Sequence, residues 1–418
     1  METRSWWQKL KNNSMARFGA TVLIIFYIAV IFADFVAPYD PLAQQPNGSL
    51  LPPTQIYWRG ADRWRGAERE FLGPHVYPTI QGPIDLDTGR QEIEVDYSRP
   101  APIRLFVHGS EYRLFELSIP IITSFSFDGA ITMREQDIFP GIPSDLHLFG
   151  TVGPASPNAI AADPTIGEAT EGEDAPEAVS ISPAYINLLG TDNAARDVLS
   201  RLLYGGRISL SIGLIGIAIS FPLGLLVGGI SGYFGGWIDS VLMRLVEVIM
   251  TIPSLYLLVA LGVILPPELN SSERFLLIIL IISFVGWAGL ARVIRGEVLS
   301  IKERTFVQAS RSMGGRSLHI ITRHILPQTA TYVIIAATLS IPGYIVAEAV
   351  LSLIGLGIQE PDPSWGNMLS AGTNASILVL NPWLVWPPAA LIVITVLSFN
   401  LLGDGLRDAL DPRSLQKR

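Results

Sequence analysis

At 418 residues the chain has room for two or three domains, yet 49% of it is apolar and only 16% charged, which argues against an ordinary soluble enzyme and for membrane insertion. The absence of cysteine excludes a disulfide framework, zinc–thiolate sites and thiol catalysis. The net charge of −8 is unevenly spread: residues 39–194 hold 22 acidic residues against 9 arginines, and the remainder carries +5. Two parts of the chain therefore face different surroundings.

Residues 1–38 comprise a basic start, with Arg4, Lys9, Lys11 and Arg17, and an apolar run over 18–37. No small-residue cleavage site follows the run, so it is read as an uncleaved first span rather than a signal peptide. The next block, 39–187, alternates in strand fashion around three expected hairpin turns, Asp87-Thr88-Gly89, His108-Gly109 and Asp128-Gly129. A β-rich domain is expected from about residue 50 to about residue 150. Residues 150–182 are rich in Ala, Pro, Gly and acids and read as a linker or irregular loop. Its carboxylates, Glu171, Glu173 and Asp174 among them, match no ion-binding spacing and read as a solvated acidic face.

Further apolar stretches at 208–231, 240–265, 275–295, 330–357 and 383–403 bring the expected spans to six. Arg244 and Glu247 in the third are spaced to pair with each other. Arg196 and Asp197 precede the second span, in an expected amphipathic helix whose apolar positions are Val198, Leu199, Leu202 and Leu203. Lys and Arg gather at the N terminus, in the segment after span four and at the C terminus, which puts both termini in the cytoplasm and block 39–187 outside. Glu348, inside span five, is costly against lipid; it reads as a gate or packing contact near a pathway, or as a residue at the membrane edge.

Catalytic signatures are missing. No lysine follows a glycine, so no phosphate loop exists, and there is no H-E-x-x-H or G-x-S-x-G. The five histidines show no metal-ligand spacing, and His319 and His324, five apart on a short helix, are expected to point in different directions. No basic, aromatic-interleaved tract suggests nucleic acid. The sequence predicts no enzyme, no cofactor and no metal in this chain.

Residues 306–328, FVQASRSMGGRSLHIITRHILPQ, predict two short helices. Phe306, Ala309, Ser310 and Met313 share one face of the first, and Leu318, Ile321 and Ile325 form a stripe on the second. Gly314-Gly315 makes the joint, and Leu326-Pro327 is expected to end the second helix where span five begins. Taken alone, the pattern fits a rigid lever and an amphipathic loop on lipid headgroups equally well.

The same segment resembles the cytoplasmic "EAA" loop of ATP-binding-cassette importer permeases, with Gln308-Ala309-Ser310 in place of Glu-Ala-Ala, Gly314 four residues on, and Leu326-Pro327 closing it. LLGTDNAARDVLSRLLYGGRISLSIG, residues 188–213, carries Gly190, Thr191, Asp192, Arg196 and Asp197 and is similar to the G-T-D-x-x-G-R-D segment of the C-type permease in the dipeptide, oligopeptide and nickel branch. EAVLSLIGLGIQEPDPSWGNML, residues 348–369, is similar to that branch's fifth span and outer loop. Gln308 replaces an acidic residue and Ala195 a glycine, and the outer block is longer than usual by roughly 130 residues.

The resemblance implies a mainly α, polytopic membrane protein with the six-helix fold of type I importers, plus a β-rich extracytoplasmic insertion. It divides the chain into 1–38, 39–187 and a permease core at 188–418, with a coupling loop at 302–328. It also implies a second homologous permease, two ABC ATPase subunits that bind ATP and Mg, a substrate-binding protein outside, and a bacterial or archaeal inner membrane. Peptides are the implied cargo, with nickel complexes or oligosaccharides as alternatives. Two rivals from other classes are a membrane-anchored sensor and an ion-coupled secondary transporter, neither of which needs an ATPase.

Overall fold

Apolar composition and helix length set most of the architecture. In the computed structural model, which describes residues 6–60, 71–84, 91–125, 131–153, 156–157, 183–266, 269 and 271–410, five helical stretches are long and apolar enough to cross a membrane. They are α2 (Ser14–Ile31), α4 (Val198–Phe234), α7 (Ser271–Ile301), α10 (Ala330–Leu353) with the turns leading into it, and α13 (Trp386–Leu410). A bent pair, α5 (Gly236–Thr251) and α6 (Ser254–Val263), meets at 84° and brings the number to six if the pair is counted as one span. The sequence predicts one span over 240–265. Ile252 and Pro253 are instead both extended, because proline has no N–H to donate and disfavours helix in the residue before it. Arg244 does reach Glu247, at 3.2 Å.

The chain divides into two compact units, Met1–Tyr27 with Ile208–Gln359 and Ala390–Arg418, and Ile28–Arg207 with Glu360–Ala389. In the first, α4 approaches α7 along Gly224, Gly228 and Gly232, one per helical turn. A Cβ on Gly228 would lie 2.5 Å from the Ala291 carbonyl oxygen, so only glycine permits this spacing. Asp239 of α5 accepts two bonds from the Arg295 guanidinium of α7, each 2.5 Å, which fastens the bent span to its neighbour.

Among the described residues the second unit holds α3 (Ala33–Val36) and eight strands. Strands β1 (Tyr57–Arg59), β2 (Phe71–Val76), β5 (Ala101–Leu114) and β8 (Ile142–Thr151) form one antiparallel sheet in the order β1-β2-β5-β8. Two separate antiparallel pairs are β3 (Thr79–Ile84) with β4 (Gln91–Val95) and β6 (Leu117–Phe125) with β7 (Ile131–Phe139). The turns expected at 87–89 and 128–129 and the linker with Glu171, Glu173 and Asp174 lie outside the described residues. At His108-Gly109 no hairpin forms: β5 runs straight through, with an irregular register between His108 and Tyr112. Gly109 lies where a Cβ would strike the His147 ring, so it serves close approach rather than a turn.

This β-rich excursion is closed at its base. Thr54 N–H donates to the Asn187 carbonyl (2.8 Å) and Asn187 N–H donates to Thr54 Oγ1 (2.9 Å), while the Gln45 and Asn187 amides bond each other twice at 2.8 Å. These bonds bring the two ends of the β-rich region together, at a closure cost that grows only slowly with the length between them.

Candidate functional site

The segment after α7 forms an elbow. α8 (Thr305–Ser312) ends at Met313, and Gly314 (φ +81°) turns left-handed. Gly315 N–H then donates to the Ser310 carbonyl and Gly314 N–H to the Arg311 carbonyl, both at 3.0 Å. This bond pair is the Schellman termination, in which the left-handed position favours glycine. α9 (Ser317–Ile320) follows and continues without interruption through a π turn (Ile321–Ile325) and a 3-10 turn (Leu326–Thr329) into α10.

Pro327 therefore does not end the second helix, as the sequence suggested. It sits in the first turn of the 3-10 segment, where its missing N–H leaves no gap in the ladder, and the widened π turn before it takes up the register. The same π turn corrects a second expectation: with about five residues per step, it brings His319 and His324 to one side, their rings 5.6 Å apart. Among the described residues no group of three potential ligands gathers for a metal.

The elbow has a dry base and an exposed crest. Val307, Ile320 and Ile325 are buried with Ile294, Val298 and Ile301 of α7 and Phe221 of α4. Phe306, Gln308, Ala309 and Met313 are exposed, Met313 at 82%, and Leu318 joins them at 65%. Two assignments change. Ser310 is buried, its carbonyl held by Gly315, and Leu318 belongs to the crest while Ile320, beside Ile321 and Ile325, belongs to the base. Gln308 donates to Glu303 at 3.1 Å, an exposed local contact.

In the second unit the 190–201 segment folds on itself. Gly190 (φ +78°) lies where a Cβ would be 2.6 Å from the Leu51 carbonyl oxygen. The Thr191 hydroxyl donates to the Gly48 carbonyl and accepts from Leu51 N–H. Asp192 takes the Arg196 guanidinium at 2.8 Å, and Glu360 bridges Arg196 (2.6 Å) and Arg201 (2.8 Å). These side chains line one side of a cavity of about 500 Å³. Two buried arginines thus face two carboxylates, a balanced set with no surplus charge. The expected separate amphipathic helix is absent: Val198, Leu199, Leu202 and Leu203 are the first turns of α4 itself.

Asp197 caps α4, accepting from Ser200 N–H and Oγ–H, each at 2.7 Å, while its other oxygen is buried without a partner. Burial pushes its carboxyl up to about 7. Ala195 holds a left-handed backbone (φ +61°), a position where glycine would be unstrained. Glu348 is buried in the first unit, accepting from Ser352 at 2.7 Å and from Ser209 of α4 at 3.4 Å; Ser352 in turn takes Ile358 N–H at 3.0 Å.

Comparison with known proteins now decides the family. Residues 221–416 match the profile of the binding-protein-dependent transport system inner membrane component, and residues 3–53 that of the N-terminal TM domain of oligopeptide transport permease C. The dipeptide transport system permease protein DppC of Bacillus subtilis is 42% identical over 56% of this chain and 71% of its own length. The oligopeptide transport system permease protein OppC of Haemophilus influenzae is 41% identical over 54% and 70%. The chain belongs to the C-type permeases of binding-protein-dependent ABC transport systems.

As a permease of that family it is a multi-pass inner membrane protein. The N-terminal profile stops at residue 53, one residue before the Thr54–Asn187 closure, and the other starts at 221. The β-rich region lies between them, outside both matches. Sequence reasoning missed that closure, although Thr54 and Asn187 are polar residues flanking the strand-rich block. It also missed Arg201 and Glu360, which complete the charged cluster from positions 159 residues apart.

Proposed function

We propose that this permease forms half of the pathway of an ATP-driven importer whose cargo is peptides, paired with a second homologous permease. Two ABC ATPase subunits, which bind ATP and Mg, seat on the elbow at 302–328, and a substrate-binding protein delivers cargo on the other face. The observation that carries this reading is the crest of Phe306, Met313 and Leu318, exposed on a base that is packed into α4 and α7. Force applied to such a crest moves the spans rather than bending the loop.

In this reading both termini and the elbow are cytoplasmic, which the Lys and Arg distribution supports. Phe306 and Met313 fill the partner's groove, Ala309 allows its close approach, and Gly314 sets the angle between the helices. Ser310, Leu326 and Pro327 act from within by fixing the elbow's shape. The Gly190–Asp197 segment anchors the outer start of α4, and Glu348 holds α4 to the outer end of α10 as a packing contact. Peptide cargo follows the names of the relatives, dipeptide and oligopeptide permeases.

The test is uptake. The chain, reconstituted in vesicles with its companion permease, ATPases and binding protein, is expected to accumulate a labelled dipeptide or oligopeptide only with ATP and binding protein present. Accumulation of nickel or an oligosaccharide without peptide transport would refute the cargo, and uptake driven by an ion gradient alone would refute the mechanism.

A further inference from the structure

Within the first unit, α5 has one covered side and one exposed side, and the exposed side is itself divided. Val246 is buried together with Trp287, Ala288 and Ala291 of α7. On the opposite side Ser240, Arg244, Glu247 and Thr251 recur at i, i+4, i+7 and i+11, which sets them in one polar stripe along the helix. All four are exposed, the Arg244 and Glu247 side chains at 80% and 50%. Beside them runs an exposed apolar stripe of Trp237, Val241, Leu245 and Val248.

The two stripes require different surroundings. Leu245 and Val248 suit acyl chains. Arg244 donates to Glu247 at 3.2 Å, yet even a paired charge is costly against lipid, and ionisable residues in membrane spans face a bundle interior or a water-filled cavity. The polar stripe ends at Thr251, where the helix breaks: Ile252 and Pro253 are extended and, with Ser254, exposed. A helix end leaves carbonyls without in-helix partners, and at membrane depth irregular backbone is tolerated only where protein or water covers it. Side-chain charge and backbone break thus point independently to a polar side of α5 that does not face lipid.

We propose that Ser240, Arg244, Glu247 and Thr251 form part of the wall of the water-filled path that this permease encloses with its companion, with the Arg244–Glu247 pair as a charged contact for the peptide that crosses it. The pair is complementary to both ends of a zwitterionic peptide: the guanidinium donates to a carboxylate, and the Glu247 carboxylate accepts from an ammonium group. The inference rests on the reading of the chain as half of a peptide importer and adds to it the residues that the cargo meets inside the membrane.

The cysteine-free chain allows a direct test in the complete transporter, assembled with its companion subunits in proteoliposomes. Ser240→Cys and Thr251→Cys, which leave the ion pair in place, are compared with Leu245→Cys on the apolar stripe. The probe is a charged methanethiosulfonate reagent, which attacks thiolates in water. Labelling at 240 and 251 several-fold faster than at 245, and slowed by a transported peptide, is expected. A rate at 251 no faster than at 245 would overturn the proposal, because lipid or the companion permease would then cover the stripe. Glu247→Gln keeps the shape and removes the charge; at equal assembly it is expected to raise the KM for peptide uptake several-fold, and unchanged uptake would remove the pair from the cargo's path. The two readings fail separately. A parent that accumulates no peptide overturns the importer reading and this contact with it, whereas fast labelling that peptide does not slow, in a parent that does accumulate peptide, overturns the contact alone.

Discussion

At the elbow, apolar side chains stand exposed on a buried base; around Asp192, charged side chains are buried and bonded to one another. Met313 is 82% exposed, whereas Arg201 is 2% exposed and held by Asp192 and Glu360. A surface that leaves apolar groups in water gains by being covered, while a buried and balanced charge set is complete as it stands. The contrast separates two kinds of segment: one is the proposed seat of a subunit, and the other is a buried charge network at the start of α4.

The contrast is broken most severely by Arg201→Met. It leaves Asp192 and Glu360 to share Arg196 alone, and a loss of about 2 kcal/mol is expected, below the usual range for a broken buried pair because Arg196 still pairs with both and Glu360 keeps water. Met313→Ser should cost less than about 0.5 kcal/mol, as at other exposed positions. Thermal unfolding of the detergent-solubilised chain compares the two. If the two variants melted alike, the outer cluster would not be the structural element described.

Asp197→Asn sharpens the outer half. The folded carboxyl titrates at about 7 against an ordinary 3.8, chiefly through burial. A raised carboxyl favours the folded state while protonated, so its contribution is complete below the unfolded value and lost as pH rises through the folded one. Between pH 5 and pH 8 the parent should lose on the order of 2 kcal/mol relative to Asp197→Asn, which keeps a capping oxygen. Parallel melting-temperature profiles across that range would contradict the assignment.

Two left-handed residues give the smaller effects. Gly314→Ala should cost about 1 kcal/mol through backbone strain alone, since a Cβ there meets nothing within 4 Å. Ala195→Gly should do the reverse and raise stability by about 0.5 kcal/mol, the strain relieved less the entropy glycine adds to the unfolded chain. Denaturant midpoints of the two variants should move in opposite directions.

The helical core was legible because its signal is local: apolar runs of span length, Gly-Gly between two short periodic stretches, and basic residues on one side. The faces were less legible where the helix departs from 3.6 residues per turn. The π turn at Ile321–Ile325 put His319 beside His324 and carried the chain past Pro327, and periodicity alone could not register either. The bend at Pro253 lies inside an apolar run of span length, and length and composition alone do not register a breaker. Gly109 reads as a turn residue in sequence because its partner, His147, is 38 positions away and on another strand. Arg201 and Glu360 meet across 159 residues, a pairing no short motif encodes.

The central claim is that the elbow's crest is the seat of an ATPase subunit. It is tested most directly by co-purifying the chain with its companion subunits, comparing the parent with the double variant Phe306→Ser, Met313→Ser at matched melting temperature. The ATPase should accompany the parent and be lost from the variant, with the second permease retained in both. Equal recovery of ATPase with parent and variant, both folded, would contradict the account.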